Sequence, residues 1–301
     1  MKNLDDKIAT VLASAGIRSY ERVPLVADAS NRRYERILAG ERSYMLMIAP
    51  PATEDVRPFL QVAEVLQKEG LNAPDILARD VENGLLVLQD FGDDLYTKVL
   101  RNGADELPLY RHAIEVLEAL PREANVPAYS KEKLVQEALL YIDWLAVRAD
   151  KVGFVRIWEK LIDSLSDNNR LVLRDYHADN LIWLPQNQGL QQVGLLDFQD
   201  AVVGNAAYDY VSLLEDARRD VSAATVAEIL RAKSEQFLRD YAILGAQRNF
   251  KIIGIFHRLH KRDGKSKYLE FVPRVWQHLL GDLRHPALAE LKTWFDKNGD
   301  K

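Results

Sequence analysis

The sequence predicts an α+β fold in two lobes, a small β-rich N-terminal lobe and a larger, mostly helical C-terminal lobe with a short β insert. Three observations predict it. Up to about residue 91 the apolar residues fall mostly in short runs separated by turn residues, the pattern of strands. Beyond that point helical periodicity dominates. Inside the helical region, 171–173, 181–184 and 193–196 form three short apolar islands between polar loops. The expected division is 1–91, the β-rich N-lobe, and 92–301, the mostly helical C-lobe.

Each element has a local reason. In 5–15, Ile8, Val11 and Leu12 share one face, giving a short helix. Residues 23–27 read as a strand, and 34–38 and 44–49 as two more, joined across Ala39-Gly40-Glu41 as a hairpin. Pro50-Pro51 stops the third strand. Phe59, Val62, Ala63 and Leu66 recur at helical spacing, and Gly70 ends that helix. A second strand pair, 76–78 and 85–88, turns at Glu82-Asn83-Gly84 and leads into the polar connector Asp90-Phe91-Gly92-Asp93. Helices are expected over 110–120, 132–147 and 154–165, and again from Tyr208 onward, with Gly204, Gly245, Gly264 and Gly281 as breaks. Trp144, Trp158, Trp276 and Trp294 lie on apolar helical stripes and are expected in the core.

Composition narrows the function. In 301 residues, 40 Lys and Arg against 45 Asp and Glu leave a net charge of −5, which argues against a nucleic-acid binder. The 48% hydrophobic and 28% charged fractions are those of a globular chain. The absence of Cys excludes a disulfide scaffold, a Cys-ligated zinc site and a cysteine nucleophile. The segment MKNLDDKIAT has no apolar core of a signal peptide, and no apolar run approaches the ~18 residues of a membrane span. The expectation is a cytoplasmic globular protein that engages neither nucleic acid nor membrane.

The chemistry concentrates in Leu173-Arg174-Asp175-Tyr176-His177-Ala178-Asp179-Asn180, followed by Leu195-Leu196-Asp197-Phe198-Gln199-Asp200. Phosphoryl transfer needs a carboxylate beside the attacking hydroxyl, and magnesium needs hard oxygen ligands that also hold nucleotide phosphates. An Asp-x₄-Asn loop between strands, with a second Asp-Phe closing the next strand pair, supplies both. Protein kinases place H-R-D-x₄-N and D-F-G there.

On these motifs the chain resembles the aminoglycoside-phosphotransferase-type small-molecule kinases, which share the protein-kinase-like bilobal fold. It is similar, more narrowly, to the bacterial anomeric sugar kinases that phosphorylate N-acetylmuramate and N-acetylglucosamine at C1 in peptidoglycan recycling. The likeness covers nearly the whole chain. It is carried by Ser30-Asn31-Arg32-Arg33-Tyr34, Leu88-Gln89-Asp90-Phe91-Gly92, RDYHADNLIWLP from Arg174, GLLDFQDAVVGNAAYDYVSLLEDARRDV from Gly194, IIGIFHRLHKRDG from Ile252 and PRVW from Pro273. The resemblance implies ATP and Mg²⁺ as cofactors, a small-molecule amino-sugar partner and a monomer, with nucleotide binding in the N-lobe (1–91) and the catalytic loop, metal site and acceptor pocket in the C-lobe (92–301). It implies Asp175 as catalytic base or hydroxyl-orienting residue, and Asn180 and Asp197 as magnesium ligands. It makes Gln89, Asp90 and Phe91 the hinge that meets adenine through backbone groups. It gives Asp209 the role of bracing the catalytic loop, although an Asp near a helix start is equally an N-cap.

Two departures stand out. The strand Tyr44-Met45-Leu46-Met47-Ile48-Ala49 lacks the phosphate-holding Lys of most kinases of this fold, and Met47 stands at or beside its place. Glu64, the matching acidic partner, then reads as a solvated helix residue. The first hairpin has no Gly. Ser30, Asn31 and Arg32 stand there instead, and Arg32 or Arg33 is either a substitute positive charge for phosphate or plain surface charge.

Other residues keep two readings. His177 orients the loop or acts as a base; Asp200 supports the metal shell or makes a turn. Glu215-Asp216-Ala217-Arg218-Arg219-Asp220 is a solvated charged face or, at Glu215 and Arg218, lines the sugar pocket with the arginine on a lactyl carboxylate. Arg258, His260, Lys261 and Arg262 form a basic patch with the same alternatives. Trp183 is core or pocket wall. The rival functions are another small-molecule phosphotransferase, with an aminoglycoside or amino-alcohol acceptor, and a nucleotide-binding pseudokinase.

Overall fold

A computed structural model describes residues 3–25 and 31–299. In chain order they form α1 (Leu4–Ser14), β1 (Glu21–Pro24), β2 (Arg33–Ala39), β3 (Arg42–Ile48), α2 (Arg57–Lys68), β4 (Ile76–Asp80), β5 (Leu85–Gln89), α3 (Tyr96–Arg101), α4 (Glu106–Ala119), α5 (Lys131–Ala138), α6 (Leu140–Trp144), α7 (Lys151–Asp163), β6 (Asn169–Val172), β7 (Leu181–Trp183), β8 (Val193–Leu195), β9 (Val202–Asn205), α8 (Ala207–Leu214), α9 (Ala223–Leu230), α10 (Glu235–Asp263), α11 (Val272–Asp282) and α12 (Ala289–Asn298). The chain divides into two compact units. One holds the residues up to Val99 together with Asp179–Asp200; the other holds Leu100–Ala178 together with the chain from Ala201.

The first unit is built on an antiparallel sheet of order β1-β2-β3-β5-β4. Ile8, Val11 and Leu12 of α1 bury against Ile37, Leu46, Ile48, Leu85 and Val87. These period-2 and period-3.6 apolar positions meet in one core because each element hides a single face. The β7–β8 hairpin groups with this unit, although a division at residue 91 assigns it to the C-terminal lobe. Its ties are local to the unit: Asn72 Nδ2 donates to the Gln191 carbonyl (2.6 Å), the Trp183 N–H donates to the Asp94 carbonyl (2.8 Å), and Phe198 stacks on Phe59 with centroids 4.8 Å apart.

The second unit packs its helices around the 29-residue α10, about 43 Å long at helical rise. Ser234 caps its start by accepting from the Phe237 N–H, and Gly264 ends it in the left-handed conformation. Phe250 and Ile253 of α10 pack with Phe154, Trp158, Trp294 and Phe295. Trp276 packs on this core, while Trp144 is half-buried outside it.

Several expectations change. The first strand spans Glu21–Pro24, and residues 26 and 27 of its expected range lie outside the described residues. The 132–147 helix is two, α5 and α6, meeting at Leu139. Gly204 lies in β9, and Gly245 and Gly281 lie inside helices; of the four expected breaks only Gly264 is one. Gly245 serves close approach instead: a Cβ there would fall 2.6 Å from Asp282 Oδ1. Gly254 does the same against α6, where a Cβ would lie 2.3 Å from the Leu140 carbonyl carbon. α3 and β9 carry no strong periodic signal and are visible only in the structure.

Candidate active site

In the second unit, β6 delivers the loop that begins at Leu173, and β9 pairs with β6 from Asn169↔Asn205 to Val172↔Val202. Arg174 then takes φ +70°, a left-handed conformation that costs a non-glycine residue on the order of 1–3 kcal/mol. Three groups over-determine it. Asp209 Oδ2 accepts from the Leu173 N–H (2.6 Å) and Oδ1 from the Arg174 N–H (2.8 Å). Ser212 Oγ donates to the Arg174 carbonyl (3.1 Å). The Arg174 guanidinium donates to Glu137 Oε1 (2.6 Å) and lies 5.3 Å over the Tyr129 ring.

The Asp209 bonds decide its reading. Ala206 holds the N-cap position of α8, and Asp209 spends its carboxylate on the loop. It is 2% exposed, and burial pushes its carboxyl up to about 7 against the pull of the two N–H groups.

Asp175 follows the strained residue. Burial raises its carboxyl, but the surrounding positive charges, Lys251 foremost, hold it below the ordinary carboxylate range, so it is ionised at neutral pH. Lys251 reaches the cluster from α10, bonding Glu137 Oε2 (3.1 Å) and the Tyr208 hydroxyl (3.2 Å). Glu137, which also accepts from the Tyr129 hydroxyl, stays ionised: burial raises it, and Lys251 and Arg174 more than offset that.

His177 is buried, and burial holds its pKa below the usual value. Arg218 Nη1 contacts its Nε2 at 3.2 Å. A guanidinium only donates, so Nε2 accepts and the neutral ring carries its proton on Nδ1. The 215–220 run is not a solvated face. Glu215 is buried and accepts from Asn249 Nδ2 (2.7 Å); Arg219 donates to the Tyr110 hydroxyl (3.0 Å) and Glu106 (2.8 Å); Arg274 clamps Asp220 at 2.5 and 3.0 Å. Runs of charge carry no record of partners brought from helices about a hundred residues away, as Glu106 and Tyr110 are.

The first unit holds the expected metal and nucleotide residues. The β7–β8 register pairs Leu181 with Leu195, and the Leu196 N–H donates to the Asn180 carbonyl (3.0 Å), which brings the Asn180 and Asp197 backbones to one end of the hairpin. Asp197 is exposed, takes φ +56°, and its Oδ1 accepts from Gln199 Nε2 (2.8 Å). An amide and a carboxylate are hard-oxygen donors that fit magnesium shared with phosphates. Among the described residues no three His, Cys, Asp or Glu side chains gather to hold a metal by themselves.

Arg32 is partly buried, paired with Glu54 (3.0 Å) and bonded to Tyr34. Burial and the nearby Asp197 push the Tyr34 phenol up to about 12, which sets Arg32, Tyr34 and Asp197 in one neighbourhood. Arg33 and Asn31 are exposed, and Ser30 lies outside the described residues. Met47 is buried on β3 opposite Tyr34, and Glu64 is exposed. The Asp90 carboxylate is 2% exposed and held by Arg36 (2.7 and 3.2 Å) and the Gly92 N–H (2.9 Å). The Gln89 N–H is already given to the Asp75 carbonyl (2.8 Å). Phe91 packs over Gly194, where a Cβ would meet its ring at 2.9 Å. Asp200 is exposed in this unit, whereas His177, Glu215 and Arg218 belong to the other. Trp183 is half-buried and edge-on to Tyr96.

The model of the phosphotransferase enzyme family matches residues 21–245. The chain belongs to this family. The N-acetylmuramate/N-acetylglucosamine kinase of Caulobacter vibrioides is 38% identical, over 96% of this chain and 95% of that one. The kinase of the same name from Pseudomonas aeruginosa is 39% identical, over 90% and 86%. Among solved structures, the choline kinase LicA of Streptococcus pneumoniae superposes with a TM-score of 0.67 at 14% identity, over 93% of this chain and all of that one. The gentamicin complex of an aminoglycoside 2″-phosphotransferase gives 0.60 at 16%, over 96% and 99%. These likenesses establish the kinase-like α+β fold. Among the described residues no helix is long and apolar enough to cross a membrane.

Glu137 and Lys251 are the residues that reading the motifs missed; Tyr34 stands in one of those motifs but was given no role there. Arg248 and Lys251, one turn apart in an otherwise buried helical stripe, were the available signal for the α10 contribution.

Proposed function

We propose that this phosphotransferase is an ATP-dependent sugar kinase that phosphorylates the anomeric hydroxyl of N-acetylmuramate and N-acetylglucosamine. The observation that carries the reading is the near end-to-end similarity to kinases of that name, at 38% and 39% identity. The loop chemistry agrees with it. An ionised Asp175, fixed by a braced and strained neighbour, is suited to align the C1 hydroxyl and take its proton. The sugar O1–P bond forms as the bond from the γ-phosphorus to the bridging oxygen breaks; ADP leaves, and the hydroxyl proton passes to the Asp175 carboxylate. Asn180 and Asp197 are the residues that would hold magnesium, which supplies charge neutralisation on the phosphate oxygens. Arg32 would add positive charge in place of the missing strand Lys, and the 89–91 connector would meet the nucleotide base. His177 would position the loop as a neutral ring.

The test is ADP release with ATP and magnesium against N-acetylmuramate, N-acetylglucosamine, glucosamine, choline and an aminoglycoside. Turnover on the two N-acetyl sugars alone is expected. Turnover confined to choline or the aminoglycoside would overturn the reading.

A further inference from the structure

The basic side chains around the Asp175 loop are nearly all engaged. Arg174 and Lys251 pair with Glu137, Arg219 with Glu106, Arg274 with Asp220, and Arg218 donates to His177. Arg248 differs. It is 5% exposed, and among the described residues no hydrogen bond or ion pair reaches its guanidinium; Nη1 is fully buried without a partner. Its helix neighbours are engaged through their donors: Gln247 Nε2 donates to the Leu134 carbonyl (2.9 Å), Asn249 Nδ2 to Glu215 and Asp282, and Lys251, on the same face one turn on, holds Glu137, while the Gln247 and Asn249 amide oxygens are buried without partners. Lys251 pairs with the Glu137 that holds Arg174, which sets Arg248 on the side of α10 that serves the Asp175 loop; the Arg248 charge acts on Asp175, His177, Asp209 and Tyr241. A buried guanidinium nitrogen left without an acceptor is costly, and a carboxylate brought by a ligand would complete it. Its planar fork matches a carboxylate through two parallel hydrogen bonds.

We infer that Arg248 is the carboxylate-reading residue of the acceptor pocket: it docks the carboxylate of an acidic amino-sugar acceptor and so sets the preference for that sugar over its neutral counterpart. This deepens the proposed function and rests on it. It also moves the carboxylate contact from Arg218, whose guanidinium is turned to His177, to α10.

The experiment compares steady-state kinetics of the wild type, Arg248→Gln and Arg248→Lys on N-acetylmuramate and N-acetylglucosamine, with thermal unfolding of each protein. For Arg248→Gln the KM for N-acetylmuramate is expected to rise at least tenfold, while kcat/KM for N-acetylglucosamine changes less than threefold. Arg248→Lys keeps the charge without the fork and is expected to fall between; it carries the test alone if the Gln variant does not fold. Equal losses on both sugars, or no change on either, would overturn the assignment and leave the sugar-kinase reading intact. A wild type that turns over neither sugar would overturn that reading and this assignment together.

Discussion

Asp175 is the residue on which the proposed chemistry turns. It is ionised because the positive charges around it, Lys251 foremost, outweigh its burial. Asp175→Asn keeps the shape and removes the proton acceptor. It is expected to lower kcat by about 10²–10⁴-fold while ATP affinity stays within threefold, measured by nucleotide titration; an unchanged kcat would remove Asp175 from its role. Asp209 gives a pH signature. Its folded carboxyl sits at about 7, above the unfolded value of about 4. The folded state therefore binds the extra proton, so this contribution to stability is complete below about pH 4 and is lost as pH rises through about 7. In Asp209→Asn the titration is gone. The stability of the wild type relative to the variant is expected to be greatest at pH 5 and to shrink by pH 8, read from urea midpoints at both. A difference that does not vary with pH would contradict the buried-carboxyl account.

At the level of elements, the loop is held by helices rather than by its own sheet partners. α8 supplies Asp209 and Ser212, α5 supplies Glu137, and α10 supplies Lys251. Glu137→Leu would leave Arg174 and Lys251 buried without their shared anion. That is expected to cost about 3–5 kcal/mol, read as a drop in the urea midpoint with unchanged slope; a loss under about 1 kcal/mol would show that the pair is no brace. This scale also explains what reading the sequence could and could not reach. Asp175, Asn180 and Asp197 could be named as candidates because the Asp-x₄-Asn loop and the Asp-Phe pair are contiguous strings, each bounded by apolar islands that do fold as strands. The sheet was visible for the same reason, since period-2 burial in β2 and continuous burial in β5 are written locally. The Glu137–Arg174–Lys251 cluster was not, because its members lie 37 or more residues apart and meet only through helix packing. Gly245 misled for a related reason: glycine marks a close approach as readily as a break, and only the facing Asp282 tells which.

For the molecule as a whole, the residues of the proposed chemistry are divided between the two units. One holds Asn180, Asp197 and Arg32, and the other holds Asp175, His177 and Arg248. Membership of the phosphotransferase family and relatives matched over about nine-tenths of the chain or more make phosphoryl transfer the common denominator. What distinguishes this reading from the fold's other uses is the atom that receives the phosphoryl group. The most direct measurement is ³¹P NMR with proton correlation on the product formed from ATP, magnesium and N-acetylglucosamine. The account predicts a phosphorus signal coupled to the anomeric proton, a C1 phosphate. A phosphate coupled to the C6 protons, or no sugar phosphate from either N-acetyl sugar while ADP forms on another acceptor, would contradict it.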